Sequence, residues 1–297
     1  MMRPPSPIIY LSGIFLIIFL LITFIKSQEE GPVSESATRI SGMKRTQIDQ
    51  FWYLYGQASE HHRTGDFERA ATAYRKALRL NDRHEDTLYY LGNTLIQLAR
   101  YREAIDMFRK LSEINPLSTR AHFQIGTILS STESDAPFDL DAAEQEFQRT
   151  LEINREESEP LLRLGEIAVA KGAFDRAEMH LSDTIRLNRK AVTAYYLLGY
   201  IKWLDGHSDE ARRLFNEARI HNRKEQPVND VAGEGDTRDG QPLGNARHSL
   251  FSQLVEDAMA PATEPSDTQI DAVYRQVRRF CDEVAGRWRK QQNDTSG

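Results

Sequence analysis

Few side chains in this sequence stand at spacings that do chemistry. His61 and His62 are adjacent, and neighbouring positions on a helix point to different faces, so the two do not readily ligate one metal. His84-Glu85 lacks the second His four residues on that a zinc-protease helix requires. Glu133, Asp135 and Asp139 gather carboxylates, but the one-three-five spacing, central Gly and distant Glu of a calcium loop are missing. They read as a solvated acidic loop. Gly233-Glu234-Gly235-Asp236 is not followed by the Lys-Ser or Lys-Thr of a phosphate loop. Cys281 is the single cysteine, which excludes an internal disulfide and a paired-Cys zinc site. No nucleophile elbow is present either. The inventory predicts no enzyme activity, no cofactor and no metal.

What does recur is small residues. Ala58, Gly92, Gly126, Gly165 and Gly199 are spaced 34, 34, 39 and 34 apart, and Ala70, Ala104, Ala143, Ala177 and Ala211 follow them 12 residues on in four of five copies. A period of this length marks a stacked supersecondary unit, and small residues mark close helix approach. Bulky groups sit four after the second small residue, at Tyr74, Phe108, Phe147, Leu181 and Phe215. Leu80, Ile114, Ile153 and Leu187 sit ten after it, with His221 departing in the last copy. These spacings keep one helical face apolar. An Asn follows each time, at Asn81, Asn115, Asn154, Asn188 and Asn222, where a left-handed helix end is expected. Gly65-Asp66, Gly172 and Gly206 mark the turns inside the repeats. The third copy is five residues longer, in Ser130 to Asp139, and such insertions map to surface loops.

The pattern resembles the tetratricopeptide repeat family over about residues 48 to 222. The second copy matches best, through Leu88, Leu91-Gly92, Leu95, Tyr101, Ala104, Phe108 and Asn115-Pro116. Gln57 and Ser208 depart from the family's usual Leu and aromatic. The resemblance implies an all-α fold, a right-handed superhelical solenoid of about five helix-turn-helix repeats, whose first helices line a concave groove. Carried over by register, the groove receives Tyr55, Tyr89, Phe123, Leu162 and Tyr196 in one series and Ser59, Asn93, Thr127, Glu166 and Tyr200 in another. Trp52 and Trp203 fall beside them, as do His62 and Arg120. The binding set expected for a protein or peptide partner is Trp52, Tyr55, Tyr89, Asn93, Phe123, Tyr196, Tyr200 and Trp203, because rigid aromatics dominate binding hot spots. Tyr55 and Ser59 replace the Lys and Asn of the family's carboxylate clamp, so the groove looks aromatic rather than carboxylate-seeking. The competing reading is that these rings pack between repeats or beneath a C-terminal helix.

Residues 8 to 25 read IIYLSGIFLIIFLLITFI without a charge. At ~1.5 Å per residue they span about 27 Å, near the ~30 Å of a bilayer's hydrocarbon. No small-x-small cleavage site follows, so a retained transmembrane anchor is favoured over a cleaved signal. Arg3 and the short tail favour an N-inside orientation, although Lys26, Arg39, Lys44 and Arg45 on the other side leave the positive-inside count undecided. In a bacterium that orientation puts the repeats on the periplasmic side. The expected organisation is thus tail and anchor over 1–25, polar tether over 26–47, five repeats over 48–222, flexible linker over 223–245 and amphipathic or capping helices over 246–297. Leu250, Phe251, Leu254, Val255 and Met259 make one short apolar face. Ile270, Val273, Tyr274, Val277, Cys281, Val284 and Trp288 make a longer one, suited to cap a solenoid's exposed last helix. Arg275, Arg278, Arg279, Arg287, Arg289 and Lys290 also allow a membrane-surface helix. With net charge -6 over 297 residues, nucleic acid is not an expected partner. The expectation is a membrane-tethered scaffold in an envelope assembly, secretion or maturation complex. The alternatives are an enzyme complex's regulatory subunit using the C-terminal segment, or a scaffold that binds its own copies.

Overall fold

The computed structural model describes residues 44–225, 249–260 and 265–295. The 8–25 run, the tail before it, most of the tether and the Gly-rich linker segment lie outside them. The described residues form twelve helices and no strand. Ten make five antiparallel pairs: α1 (Arg45–Arg63) with α2 (Phe67–Leu80), α3 (Glu85–Gln97) with α4 (Tyr101–Ile114), α5 (Thr119–Leu129) with α6 (Leu140–Ile153), α7 (Ser158–Ala170) with α8 (Phe174–Leu187), and α9 (Val192–Leu204) with α10 (Ser208–Glu225). Two more follow, α11 (Ser252–Met259) and α12 (Asp267–Thr295). None of these helices is long and apolar enough to cross a membrane.

The second, third and fourth pairs close around their small residue. A Cβ added to Gly92 would lie 2.5 Å from Phe108 Cζ, one on Gly126 2.9 Å from Phe147 Cε1, and one on Gly165 2.7 Å from Leu181 Cδ2. The ring or branched side chain of the second helix therefore rests on bare backbone of the first. Tyr74, Phe108, Phe147, Leu181 and Phe215 are all buried to within 1 %, each burial contributing about 1.5–3 kcal/mol. The second helix of every repeat also packs on the first helix of the next. First helices touch one another directly, as α1 with α3 and α7 with α9, so they form the inner layer.

The turns inside the repeats use left-handed glycine at Gly65, Gly172 and Gly206, with φ between 74° and 80°. In the second repeat Ala99 takes that place with φ 56°, a conformation costly for an L-residue. The Asn positions differ from expectation. Asn81, Asn115, Asn154 and Asn188 are extended, with φ from -139° to -129°. Their side-chain Oδ1 atoms accept the backbone N–H two residues on, at Arg83, Leu117, Glu156 and Lys190, over 3.0–3.3 Å. Asn is used here because its amide mimics a backbone carbonyl and closes the turn. Asn222 does not end its helix, because α10 runs through it to Glu225.

The inserted loop of the third repeat is not simply solvated. Glu133 and Asp135 are exposed, but Ala136 and Phe138 are each only 7 % exposed and Asp139 caps α6 through the Asp141 and Ala142 N–H groups. The loop is a folded platform, and its occupant is α12.

Candidate partner-binding groove

The inner layer divides into an open half and a covered half. In the open half, α1 brings Trp52 and Tyr55 to the inner face, α3 brings Tyr89 and Asn93, and α5 brings Phe123. Trp52 is 48 % exposed, with its ring edge-on to Phe51, Tyr55 and His84 at 5.0–5.7 Å between centroids. Tyr55 is half-buried, and desolvation first, then the neighbouring Tyr74 and Tyr90, pushes its phenol well above the usual range. It therefore acts as a neutral donor and a flat contact surface. The Arg120 guanidinium lies 4.7 Å over the Tyr89 ring and is held there by Asp86 at 2.6 Å. Phe123 is 9 % exposed and meets Phe147 edge-on. Asn93 is only 3 % exposed, yet its Nδ2 has no hydrogen-bond partner.

His62 and His84 serve the packing of this half. The Thr94 hydroxyl donates to Tyr90 O, which leaves it to accept from His62 Nδ1 at 2.8 Å, a tautomer assigned from that network. Burial lowers the His62 pKa, which favours the neutral ring. His84 Nδ1 accepts the Thr87 N–H at the start of α3. No group of three potential metal ligands occurs among the described residues.

The covered half differs sharply. Tyr196 and Tyr200 are buried to 0 % and 2 % and Trp203 is half-buried, all beneath α12. Tyr274 inserts among Tyr196, Tyr200, Trp203 and Phe215 with centroids at 5.8–6.0 Å. Its hydroxyl stands where Gly199 would carry a Cβ. Asp271 accepts the Trp203 indole N–H at 2.8 Å. Cys281 packs against Tyr200, and its thiol is pushed up to about 12, chiefly by desolvation, so it is an inert core group. The α11 segment covers the adjoining face: the Ser249 hydroxyl donates to Glu166, which Arg163 pairs at 3.1 Å. Desolvation is the largest influence on the Glu166 carboxyl and raises its pKa despite Arg163.

Farther along, α12 reaches the third repeat. Trp288 donates its indole N–H to Asp141 at 2.9 Å, and Gln292 donates to the same carboxylate. Lys171, itself 6 % exposed, bridges Asp141 and Glu144 at 2.5 and 2.7 Å and sits 5.1 Å over the Trp288 ring. Arg287 donates to Thr132 O at 3.2 Å and lies 4.3 Å over Phe138. The eight residues expected as one binding set thus fall apart. Five stay on the open half, while Tyr196, Tyr200 and Trp203 form the floor under α12. Spacing within the repeats shows which side chains share the inner face, and nothing in it reports that a helix about seventy residues downstream lies there. Tyr274 was visible only as a member of the apolar stripe.

A family model described as anaphase-promoting complex, cyclosome, subunit 3 matches residues 37–111, and one described as tetratricopeptide repeat matches residues 162–227. Among curated proteins, anaphase-promoting complex subunit 3 of Schizosaccharomyces pombe is 26 % identical over 152 residues, which are 51 % of this chain and 22 % of that protein. The match thus spans about a fifth of that relative's length. A crystal structure of MamA protein is 22 % identical, with 62 % of this chain and 98 % of that one covered at a TM-score of 0.52. MamA 41-end from Desulfovibrio magneticus RS-1 is 16 % identical, with 60 % and 98 % covered at 0.52. PilW, described as a widely conserved type IV pilus biogenesis factor, is 16 % identical, with 80 % and 94 % covered at 0.50. At these identities the solved structures share the fold alone.

Proposed function

We propose that this tetratricopeptide repeat protein, a protein-interaction scaffold by fold, grips a peptide segment of a protein partner in the open half of its groove, with residues 8–25 tethering it to a membrane. The observation that carries the reading is the aromatic surface of the first helices: Trp52 is 48 % exposed and edge-on to Tyr55 and His84, and the Arg120 guanidinium lies over the Tyr89 ring. An extended segment can lie against these rings and offer its carbonyls to Arg120. The rings supply flat apolar contact at low entropic cost. No catalytic step belongs to this reading. The charge-free anchor run and the early Arg3 support a placement with the repeats outside the cytoplasm of a bacterial envelope, in an assembly, secretion or maturation complex.

The test uses the full chain in detergent-solubilised membranes of its own host. Quantitative affinity capture is compared between the unsubstituted chain and Trp52→Ala with Tyr89→Ala. Hot-spot truncations cost about 2 kcal/mol or more each, so the specific partner is expected to fall by at least about thirty-fold. Recovery of the same partner at the same level from both chains rules the groove out.

A further inference from the structure

Ile270, Tyr274, Val277, Cys281, Val284 and Trp288 recur at alternating steps of four and three, and all but the half-buried Trp288 are buried. Such a stripe makes a straight seam against a facing surface. Here that surface is the inner layer of the fourth and fifth repeats, and Tyr196, Gly199, Tyr200 and Trp203 of the fifth take up Tyr274 and Cys281. The helix is therefore seated as an amphipathic ligand sits in a groove, with separated side chains as anchors. The seat is also imperfectly filled. The Tyr196 and Tyr274 hydroxyls are both buried without a hydrogen-bond partner, which penalises the docked state relative to one in which an acceptor is supplied.

We infer that the inner face of repeats four and five is a helix-binding surface, which α11 and α12 hold as an intramolecular ligand. Its partner in trans is an amphipathic helix with large, small and large side chains at seven-residue steps, as Tyr274, Cys281 and Trp288 are placed. Such a helix displaces α12 and continues the track that begins in the open half. The inference goes beyond the peptide site of repeats one to three and uses none of its residues.

The probe is a synthetic peptide of residues 265–295, titrated by fluorescence anisotropy against the full chain. Against a chain carrying Tyr274→Ala with Trp288→Ala, which weakens its own helix and leaves the floor intact, the peptide is expected to bind at least ten-fold tighter than to the unsubstituted chain. Adding Gly199→Ala to that chain blocks the Tyr274 seat and is expected to remove the gain. Adding Tyr89→Ala instead leaves it unchanged, which separates this site from the peptide groove. Trp288→Ala alone, at the far end from the aromatic nest, is expected to give a smaller gain and covers the case in which the double substitution perturbs folding. Equal affinity for the substituted and unsubstituted chains, or a gain that survives Gly199→Ala, overturns the inference.

Discussion

Replacing Gly199 by Ala separates the docking of α12 from the stability of the repeats. At Gly92, Gly126 and Gly165 an added methyl meets a side chain of the same repeat, so substitution there injures the solenoid itself. At Gly199 the first atom met is the hydroxyl of Tyr274, with Ala211 O at 3.2 Å and Tyr274 Cζ at 3.3 Å behind it. Ala58 occupies the same register in the first repeat, fully buried, so the helix backbone accepts a methyl when the facing group permits. Tyr274 is 0 % exposed among four rings and cannot swing aside, so the collision falls on the docked helix. Overpacking costs typically about 1–3 kcal/mol. The helix-propensity gain of Ala over Gly, about 1 kcal/mol, is present whether α12 is docked or not and does not offset the loss.

Docking should therefore weaken by about 5- to 150-fold, since each 1.4 kcal/mol is ten-fold. Hydrogen exchange on the full chain reads this directly: amides over 270–288 accelerate by that factor while those of α3 and α5 keep their protection. Tyr274→Phe removes the colliding atom, so the double substitution Gly199→Ala with Tyr274→Phe is expected to restore most of the protection. Unchanged exchange in α12, or failure of the Phe to restore it, refutes the packing account.

Two further outcomes are expected. Ala99→Gly relieves a left-handed residue at a cost of flexibility in the unfolded chain, and should raise stability by about 0.5–1 kcal/mol, read as a higher urea midpoint; a lower midpoint contradicts the turn assignment. For Asp141, burial raises the pKa but is outweighed by hydrogen bonds from Lys171 and Trp288 and by the Lys171 charge, so the net shift is below its ordinary 3.8. A lowered value means that the contact is complete above the ordinary value and is lost as pH falls through the lowered one. Desolvation shifts Glu166 the opposite way, while the Ser249 hydrogen bond pulls its pKa down, so acid protonates Glu166 first and weakens its contact with Ser249 before it releases Trp288. The indole N–H resonance of Trp288 should therefore move in acid only after the Ser249 end has responded, and Asp141→Asn should abolish that later step.

Much of this architecture was legible because the repeat is local. The small residues at Gly92, Gly126 and Gly165 announce their contacts with Phe108, Phe147 and Leu181, which lie 16 to 21 residues away on the adjoining helix. Asn81 and its successors mark the right places for the wrong reason: composition does not distinguish a left-handed end from a side chain that closes its own turn. The insertion at Ser130 to Asp139 is visible as five extra residues, but Phe138 reveals its purpose only when Arg287 is laid across it. Trp52, Tyr55, Tyr89, Asn93 and Phe123 could be placed on the inner face by register alone. That Tyr196, Tyr200 and Trp203 are floor for another helix depends on residues 267–295, and no periodicity within the repeats encodes it.

The hydrogen bonds from Arg287 to Thr132 and from Trp288 to Asp141 close spans of 155 and 147 residues, whereas the helices of the repeats pack mainly on their neighbours in sequence. A repeat array without such a closure unfolds as a one-dimensional chain, each unit coupled only to the next. Here a helix of 29 residues, about 43 Å long at ~1.5 Å per residue, staples repeats three, four and five to one another and leaves one and two outside the staple. The consequence is an uneven cooperativity. The C-terminal portion must melt and assemble nearly as one body, paying the entropy of a long closure late in folding. The two N-terminal repeats fray independently from their end, so the half that offers its aromatic rings is also the half with the most freedom to adjust around what it holds.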